Sequence, residues 1–339
     1  MPQDKHQLNR RKLGRFIFFL GAGAIGFGSL GIVLWHQIPD MRAIRLGKGA
    51  AIAQNSPHPS PGQSPESSTL ESPISRQLEA QVTTYNLPQA TVRVASFPKN
   101  VATLSVAVAN DLETISTFAT RGTSGTPLSI INGGFFDPQI GKTTSHLTVN
   151  GAVVGDPADN ERLVENPDLQ QYLPQILNRS EFRTYRCDAE LSAHAATRYD
   201  ITFHNAAVPT GCELVSAVGA GPQLLPNHTS ELEAFTDYDN NGELIRDAIG
   251  SMHPNARSAI GLDADGSVYF ILIEKTAELS GLTLAEMSEF ADSIGIEKLL
   301  NLDGGSSSSL RFDGQTYHGR IDTNGNPIER PIKSVIVAH

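Results

Sequence analysis

A continuous apolar segment near the amino terminus is the feature that most constrains this chain of 339 residues. Residues 16–35 form a run of 20 residues without a charged side chain, FIFFLGAGAIGFGSLGIVLW. At a rise of about 1.5 Å per residue, a helix of this length spans about 30 Å, the thickness of the hydrocarbon core of a bilayer. Residues 1–15 carry five Lys or Arg, which predicts a cytoplasmic basic leader before a transmembrane signal anchor. The alternative is a cleaved leader with Ala51-Ile52-Ala53 as its processing site.

The segment after the apolar run has a composition that does not support a folded core. Between residues 54 and 75, 12 of the 22 positions are Pro or Ser. Such a sequence buries too little apolar surface to offset the conformational entropy that ordering costs. We therefore predict a Pro/Ser-rich linker over residues 36–79 and a folded domain over residues 80–339, which the leader places in the periplasm or the extracellular space.

The distribution of charge limits the partners of this domain. The chain has a net charge of −10, but residues 1–53 hold eight Lys or Arg against two Asp. The leader region therefore carries +6, and the remaining residues carry −16. Proteins that bind nucleic acid need clustered Lys and Arg on the folded part to neutralise phosphates. Nucleic acid is therefore excluded as the main partner, and the predicted contact with the membrane runs through the N-terminal helix.

Two cysteines, Cys187 and Cys212, both lie in the predicted exported domain. An oxidising compartment allows them to pair and to close a loop of about 25 residues, with a stabilisation of about 3 kcal/mol from the restricted unfolded chain. The alternative is two free thiols buried in the core. A redox site is not predicted, because the sequence has no C-x-x-C motif.

Short strands and tight turns dominate the pattern of the domain. Two-residue hairpin signals stand between apolar stretches at Asn150-Gly151, Asp265-Gly266 and Asp313-Gly314. One amphipathic helix is clear, with Thr283 as its N-cap residue and Gly295 at its end. Because hairpins outnumber helices, the sequence predicts an α+β fold, a mixed and largely antiparallel β-sheet core with packed helices, behind one N-terminal transmembrane helix.

The most informative motif for chemistry is the loop that begins at Asp303. This residue ends a predicted buried strand and is followed at once by Gly304, Gly305 and four serines. Small residues in succession let backbone N–H groups converge on an anion, and serine hydroxyls add donors. A carboxylate beside them could move a proton on a bound phosphate or sugar oxygen. The alternative is an ordinary tight turn with solvated serines.

Two further motifs place polar residues beside the ends of predicted strands. Asn132 closes an apolar strand and is followed by Gly133 and Gly134, which allow a ligand to approach closely. An amide at this position could hold a substrate hydroxyl. Arg257 precedes another strand, and a guanidinium is the fork that suits a phosphate or a carboxylate. The alternatives are core packing for the first motif and a surface salt bridge for the second.

Several other sequence patterns are absent or incomplete. The sequence holds no nucleophile elbow, P-loop, dinucleotide fingerprint or zinc-ligand spacing, so no zinc site is predicted. Asp237, Asp239 and Asn241 match the first half of a calcium-binding EF-hand loop, but Ala248 stands where the bidentate Glu belongs. A divalent cation, Ca²⁺, is therefore the only cofactor hypothesis, and its alternative is a plain Asx-rich turn.

Three motifs in order resemble the phosphodiester glycosidase family: INGGFFD at 131–137, NARSAIGLDADGSVYFILIE at 255–274 and GLTLAEMSEFADSIGIEKLLNLDGGSSSSL at 281–310. The resemblance covers about residues 90–339. It implies an α+β fold and a hydrolase that cleaves a sugar-1-phosphodiester, with an envelope or extracellular polysaccharide as the expected substrate. The alternative is a non-catalytic sugar-phosphate-binding protein of envelope or exopolysaccharide assembly.

The resemblance also implies roles for individual residues. Carried over to this sequence, Asp303 is the acid/base or nucleophile, Asn132 lines the same pocket and Arg257 holds the phosphate. The family block usually reads DGGGSS, whereas Ser306 stands here at the third glycine, which puts the substrate range in question. Asp137 is the candidate second carboxylate. The full set of predicted substrate-binding residues is Gly133, Gly134, Asp137, Gly304, Gly305, Ser306 and Ser307.

Overall fold

The computed structural model describes residues 79–121, 126–188 and 196–339. The predicted basic leader and transmembrane anchor, and all but the last residue of the predicted linker, lie outside these ranges. The boundaries of those segments therefore stay predictions. Within the described ranges, no helix combines the length and the apolar character that crossing a membrane requires.

Antiparallel strands joined by short loops make up most of the described chain. The hairpin turns at Asn150-Gly151 and Asp313-Gly314 both have positive φ at each central residue, the conformation that their sequences favour. The strands are β1 (Gln81–Asn86), β2 (Thr91–Phe97), β3 (Leu104–Glu113), β4 (Ser129–Asn132), β5 (Leu147–Val149), β6 (Ala152–Gly155), β7 (Ser180–Cys187), β8 (Ala196–Phe203), β9 (Cys212–Gly219), β10 (Gln223–Leu225), β11 (Thr236–Tyr238), β12 (Leu244–Asp247), β13 (Arg257–Leu262), β14 (Val268–Ile273), β15 (Lys298–Asn301), β16 (Ser309–Phe312), β17 (Gln315–His318) and β18 (Ile332–Ala338).

Helices are few and short. The longest begins with a capping box, in which Thr283 accepts from the Glu286 amide and the Glu286 carboxylate accepts from the Thr283 amide. The α-helices are α1 (Ile115–Thr120), α2 (Glu161–Val164), α3 (Leu173–Ile176) and α4 (Leu284–Ser293), and the 3₁₀ helices are Pro157–Asp159, Pro167–Tyr172 and Gly305–Ser307.

The strands form three larger sheets and one two-stranded ribbon. Their orders are β1-β2-β14-β13-β15-β10, β17-β16-β4-β18-β3, β6-β5-β9-β7-β8 and β11-β12. Each pairing between these strands is antiparallel. The prediction of a largely antiparallel core is therefore confirmed, and the helical share is smaller than a typical α+β fold carries.

The main hydrophobic core draws side chains from all three larger sheets. Ile260 and Phe270 come from the six-stranded sheet, Ile336 from the sheet that contains β4, and Phe182 from the sheet that contains β7. These side chains are almost fully buried. Helix α4 packs on the six-stranded sheet through a second cluster that includes its buried Met287. The core thus fixes the strand ends at which the predicted site residues stand.

The two cysteines form a disulfide bond. Cys187 ends β7 and Cys212 begins β9, and the two residues lie directly opposite one another in the antiparallel pair. The bond joins the end of β7 to the start of its neighbour β9, and β8 lies between these two strands in the sequence. The predicted pairing is confirmed, and the alternative of two free thiols is wrong.

Candidate functional site

Two sheets meet where β4 and β15 end. The Asp303 amide donates to the Gly133 carbonyl at 3.1 Å, and the Leu302 amide donates to the Ser258 carbonyl at 2.8 Å. The first bond joins the chain after β15 to the chain after β4, which belongs to the other sheet. The predicted motifs around residues 132 and 303 are therefore in direct contact.

The side chain of Asn132 holds this junction together. Its Nδ2 donates to the Asp303 carbonyl at 2.7 Å, and its Oδ1 accepts from the Ser258 hydroxyl at 2.7 Å and from the Ser309 amide at 3.0 Å. Asn132 is only 1% exposed. Both ends of the amide are thus bound to protein atoms, which makes Asn132 a positioning residue in place of the predicted ligand of a substrate hydroxyl.

The Asp303 side chain is half-buried at the edge of this junction. Burial raises its pKa to about 6, although the neighbouring Ser307 hydroxyl and the positive charge of Arg330 lower it in part. A carboxyl group with a pKa near the ambient pH can both accept and release a proton during a reaction cycle. The raised pKa suits the predicted proton transfer by Asp303, and that role stays a prediction.

Arg330 is the cation of the site, and the sequence analysis did not identify it. Its Nη1 donates to the Ser306 hydroxyl at 2.9 Å, and its guanidinium lies 5.6 Å from the centre of the Phe136 ring. Its charge acts on the Asp303 carboxylate. The sequence signal that could have found it is an arginine just before the C-terminal strand β18, separated from it by Pro331.

Arg257 has a different role from the one predicted. Its Nε donates to the Leu282 carbonyl at 3.3 Å, Nη1 to Ile249 at 3.1 Å, and Nη2 to Gly250 at 2.6 Å and His253 at 2.9 Å. The residue is 2% exposed, and burial lowers its pKa to about 10. With its nitrogens bound to backbone carbonyls, Arg257 fixes the turn over residues 249–253, and this geometry does not favour a phosphate fork.

The loop after Asp303 is shaped by close backbone contacts. A Cβ atom at Gly304 would lie 3.2 Å from the Ala256 carbonyl oxygen, and Gly305 has a φ of +64° while its amide donates to the same carbonyl. The amides of Ser307 and Ser308 donate within the loop itself. Three of the amides of the predicted anion nest are thus used by the protein, and the Arg330 guanidinium supplies positive charge instead.

The glycines after Asn132 are required by packing. A Cβ atom on Gly133 would lie 2.4 Å from the Ser334 hydroxyl oxygen, and one on Gly134 would lie 2.0 Å from the Gly219 carbonyl oxygen. Neither contact is sterically allowed, so β-carbons are excluded at both positions. The two glycines bring β4 against the neighbouring chain segments, and their predicted contact with substrate stays a prediction.

Asp137, the predicted second carboxylate, is engaged in an ion pair. Its Oδ2 accepts from Arg162 Nε at 2.7 Å, and its Oδ1 accepts from the Gln139 amide at 2.8 Å. Burial alone would raise its pKa, but these hydrogen bonds outweigh burial and lower it. A carboxylate held in its ionised form by an arginine is a poor proton donor, so a catalytic role for Asp137 stays a prediction without geometric support.

The segment considered for Ca²⁺ forms an Asx turn. Asp239 Oδ1 accepts from the amides of Asn241 at 2.8 Å and Glu243 at 2.9 Å, and Asp237 Oδ2 accepts from the Tyr172 hydroxyl at 2.7 Å. In the part of the chain that the structure describes, no group of three or more His, Cys, Asp or Glu is arranged to hold a metal ion. The Asx-turn alternative describes this segment.

A cavity of about 370 Å³ lies apart from the Asp303 loop, beside the start of α4. It is lined by His228, Ser230, Glu231, Thr236, Tyr238, Ser251, Met252, Thr283, Leu284 and Ala285. None of these is a predicted site residue. We therefore place the candidate site at the Asp303 loop, where the predicted motifs meet, and not at this cavity.

The sequence profile of the phosphodiester glycosidase family matches residues 127–339. This match includes Asn132, Arg257, Asp303 and Arg330. The chain belongs to the phosphodiester glycosidase family. The resemblance inferred from the three motifs is thus confirmed, and hydrolase chemistry is the activity that the family suggests.

Comparison with solved structures shows the fold. The zebrafish N-acetylglucosamine-1-phosphodiester α-N-acetylglucosaminidase catalytic domain, auto-inhibited by its pro-peptide, superposes with a TM-score of 0.53 at 15% identity, over 80% of this chain and 85% of that one. A hypothetical protein from Synechocystis gives a TM-score of 0.49 at 15% identity, over 76% of this chain and 61% of that one. No curated protein matches the sequence. At such identities the first likeness shows the fold alone.

The contacts of Arg257 predict a structural role that can be measured. We expect Arg257→Lys to lower the free energy of unfolding by about 3 kcal/mol, because a lysine cannot bind all four of the carbonyls that the buried guanidinium holds. Chemical denaturation followed by circular dichroism measures this loss. Arg330→Lys is the matched control, and we expect it to unfold like the wild type. If Arg257→Lys kept the wild-type stability but lost affinity for phosphate, the structural role would be contradicted and the predicted phosphate-binding role supported.

Proposed function

We propose that this chain is an exported, membrane-anchored hydrolase that cleaves a sugar-1-phosphodiester of envelope or extracellular polysaccharide. The observation that carries the proposal is a half-buried carboxyl group of raised pKa, Asp303, on which the positive charge of Arg330 acts, with Arg330 bound to Ser306 of the same loop. Membership in the phosphodiester glycosidase family supplies the reaction class. The products would be the free sugar and a phosphomonoester.

In the proposed reaction, an oxygen of water or of the Asp303 carboxylate bonds to the anomeric carbon as the bond between that carbon and the phosphate oxygen breaks; where the carboxylate attacks, water then displaces it from the sugar. The electron pair of this bond moves onto the phosphate, and Arg330 stabilises the charge that develops there. A phosphomonoester is a good leaving group and needs little protonation. We therefore assign Asp303 to a role in its ionised form, either as the base that takes a proton from water or as the nucleophile.

The overall charge of the protein makes the local position of Arg330 important. The residues after the leader region carry a net charge of −16, which repels an anionic polymer at long range. Salt at physiological strength screens charges beyond about 8 Å. The half-buried Arg330 guanidinium, whose charge acts on the Asp303 carboxyl group, supplies a local attraction for the phosphate that the distant carboxylates oppose only weakly.

Asp303 should set the pH dependence of the reaction. Asp303 has a pKa of about 6 and acts in its ionised form in the proposed reaction. We therefore expect kcat/KM to rise about tenfold per pH unit below pH 6 and to be constant above it. Asp303→Asn should lower kcat by about 10³-fold. Hydrolysis of a chromogenic sugar-1-phosphodiester measures both. Activity that falls as the pH rises through 6 would assign Asp303 to the acid role instead.

The same variant has a stability readout that does not depend on activity. The folded pKa of Asp303 lies above its unfolded value, so burial of the ionised form destabilises the wild type as the pH rises from about 4 to about 6, and the loss stays constant above that. Asp303→Asn should therefore raise the thermal unfolding midpoint at pH 8, and this gain should disappear near pH 4. An equal effect at both pH values would contradict the raised pKa.

Arg330 should contribute both to rate and to the ionisation of Asp303. Arg330→Gln removes a positive charge that stabilises the carboxylate, so the pH at which kcat/KM reaches half its maximum should move above 6. The plateau of kcat/KM should fall by about 10²- to 10³-fold. Arg162→Gln, which breaks the ion pair with Asp137, is the matched control and should leave the pH profile unchanged. A profile of Arg330→Gln that still turns at pH 6 would remove Arg330 from the site.

The second candidate function is a sugar-phosphate-binding protein without turnover. The observation that favours it is Ser306, which adds a side chain at a position where the family usually has glycine. In this protein the Ser306 hydroxyl accepts from Arg330, so the added side chain is part of the site. Binding of a sugar-1-phosphodiester without release of product, by the wild type and Asp303→Asn alike, would support this candidate.

The proposed location rests on the apolar run over residues 16–35 and on the disulfide between Cys187 and Cys212. Disulfides persist in oxidising compartments, and the cytosol keeps thiols reduced. We expect the full chain in the membrane fraction, with its C-terminal part cleaved by protease added outside the inner membrane and with both cysteines oxidised. Deletion of residues 1–35 should leave both thiols free to alkylation. Oxidised cysteines in the deletion variant would contradict export as their cause.

A further inference from the structure

Two arginines outside the Asp303 loop share an arrangement that the proposed mechanism does not use. Arg179 Nε donates to the Glu233 carbonyl at 3.0 Å, and Arg246 Nε donates to the next carbonyl, that of Ala234, at 2.9 Å. Both side chains are half-buried. Two guanidinium groups are thus anchored by their Nε atoms to consecutive peptide units.

Each of these guanidinium groups also lies on an aromatic ring. Arg179 is 3.7 Å from the centre of the Phe235 ring, and Arg246 is 4.6 Å from the centre of the Tyr172 ring. Stacking on a ring and one hydrogen bond through Nε fix the plane of a guanidinium and leave its terminal nitrogens available. The two groups are close enough for the charge of Arg246 to lower the pKa of Arg179, for which burial is the larger cause.

The acidic residues near this pair are engaged with other donors. Glu233 accepts from the Ser180 amide at 2.8 Å, the Gln223 amide at 2.9 Å and the Thr229 hydroxyl. Its charge raises the pKa of Arg179 without forming an ion pair with it.

Asp237 stands opposite Arg246 in the β11-β12 register and accepts from the Tyr172 hydroxyl. In the described ranges, no ion pair within 4.0 Å includes Arg179 or Arg246. The terminal nitrogens of both arginines therefore lack an acidic side chain as partner.

We propose that Arg179 and Arg246 form a second oxyanion site, which holds a phosphate or carboxylate group of the ligand. Two planar forks, held in place by stacking and by backbone carbonyls, match the oxygens of such a group with little loss of side-chain entropy. Phe235, under Arg179, lies 5.6 Å from Phe135, and the next residue, Phe136, lies under Arg330. The Phe135–Phe235 contact and the chain neighbours Phe135 and Phe136 thus link the Arg179 position to the Arg330 position.

This inference deepens the proposed function and rests on it for the identity of the ligand. A substrate with a second anionic group would use both cationic positions, one at the cleaved phosphodiester and one at Arg179 and Arg246. The chain is therefore expected to prefer a polyanionic substrate, such as a glycosyl-phosphate polymer or an acidic polysaccharide, over a simple sugar-1-phosphodiester.

The binding experiment does not require turnover. Inorganic phosphate is titrated calorimetrically into the full chain in detergent, in the Arg330→Gln background, so that the proposed catalytic position contributes little. We expect saturable binding that weakens by about tenfold or more with Arg246→Gln or Arg179→Gln. Arg186→Gln, which changes an exposed arginine paired with Glu213, is the matched control and should bind like the background. Equal phosphate affinity in all variants overturns the second site.

A kinetic arm tests the ligand and separates the two proposals. On the otherwise wild-type chain, Arg246→Gln should raise KM for a substrate with a second phosphate or carboxylate by about tenfold, and should leave KM for a neutral-tailed substrate unchanged. Arg179→Lys keeps the charge without the fork and should recover part of the phosphate affinity. Lost thermal stability with unchanged KM ratios would overturn the proposal in favour of packing alone. Phosphate binding without hydrolysis of any substrate would support the second site and refute the proposed function.

Discussion

The structure depends on the buried amide of Asn132, which joins two β-sheets at the ends of their strands. Its nitrogen donates to the Asp303 carbonyl, and its oxygen accepts from Ser258 and Ser309. A buried amide without partners costs about 1–3 kcal/mol, so this arrangement is stable only when all of these segments are in register. The same hydrogen bonds therefore hold the two sheets together and place Asp303.

The charged residues around this junction differ in burial, and their roles differ accordingly. Arg257 is fully enclosed and its nitrogens are bound to backbone carbonyls, so its charge serves the fold. Arg330 and Asp303 are half-buried, and the charge of Arg330 acts on the Asp303 carboxyl group, so both charges are available to a ligand. Burial raises the pKa of Asp303 more than Arg330 lowers it, which leaves a carboxyl group poised near pH 6 in an acidic protein.

Local signals predicted a large part of the fold. The hairpin turns at Asn150-Gly151 and Asp313-Gly314 and the capping box at Thr283 depend on neighbouring residues only, and each formed as predicted. The candidate site was predicted only in part. Asp303 was found because its chemistry and its glycines are adjacent in sequence. Arg257 was given a ligand role because its residue type suits phosphate, and the sequence could not show that the preceding turn would fold back so that its carbonyls and that of Leu282 take the donors.

By itself the sequence determined the hairpin-rich antiparallel character, the pairing partners available to two cysteines, the apolar run of the leader and the family. These follow from composition, short-range order and motif order, which do not depend on long-range contacts. The tertiary structure alone decided that the charge of Arg330 acts on Asp303, that Asn132 serves the junction and that Arg179 and Arg246 bind consecutive carbonyls. Those relations join residues that are far apart in sequence, and only the packing of the sheets brings them together.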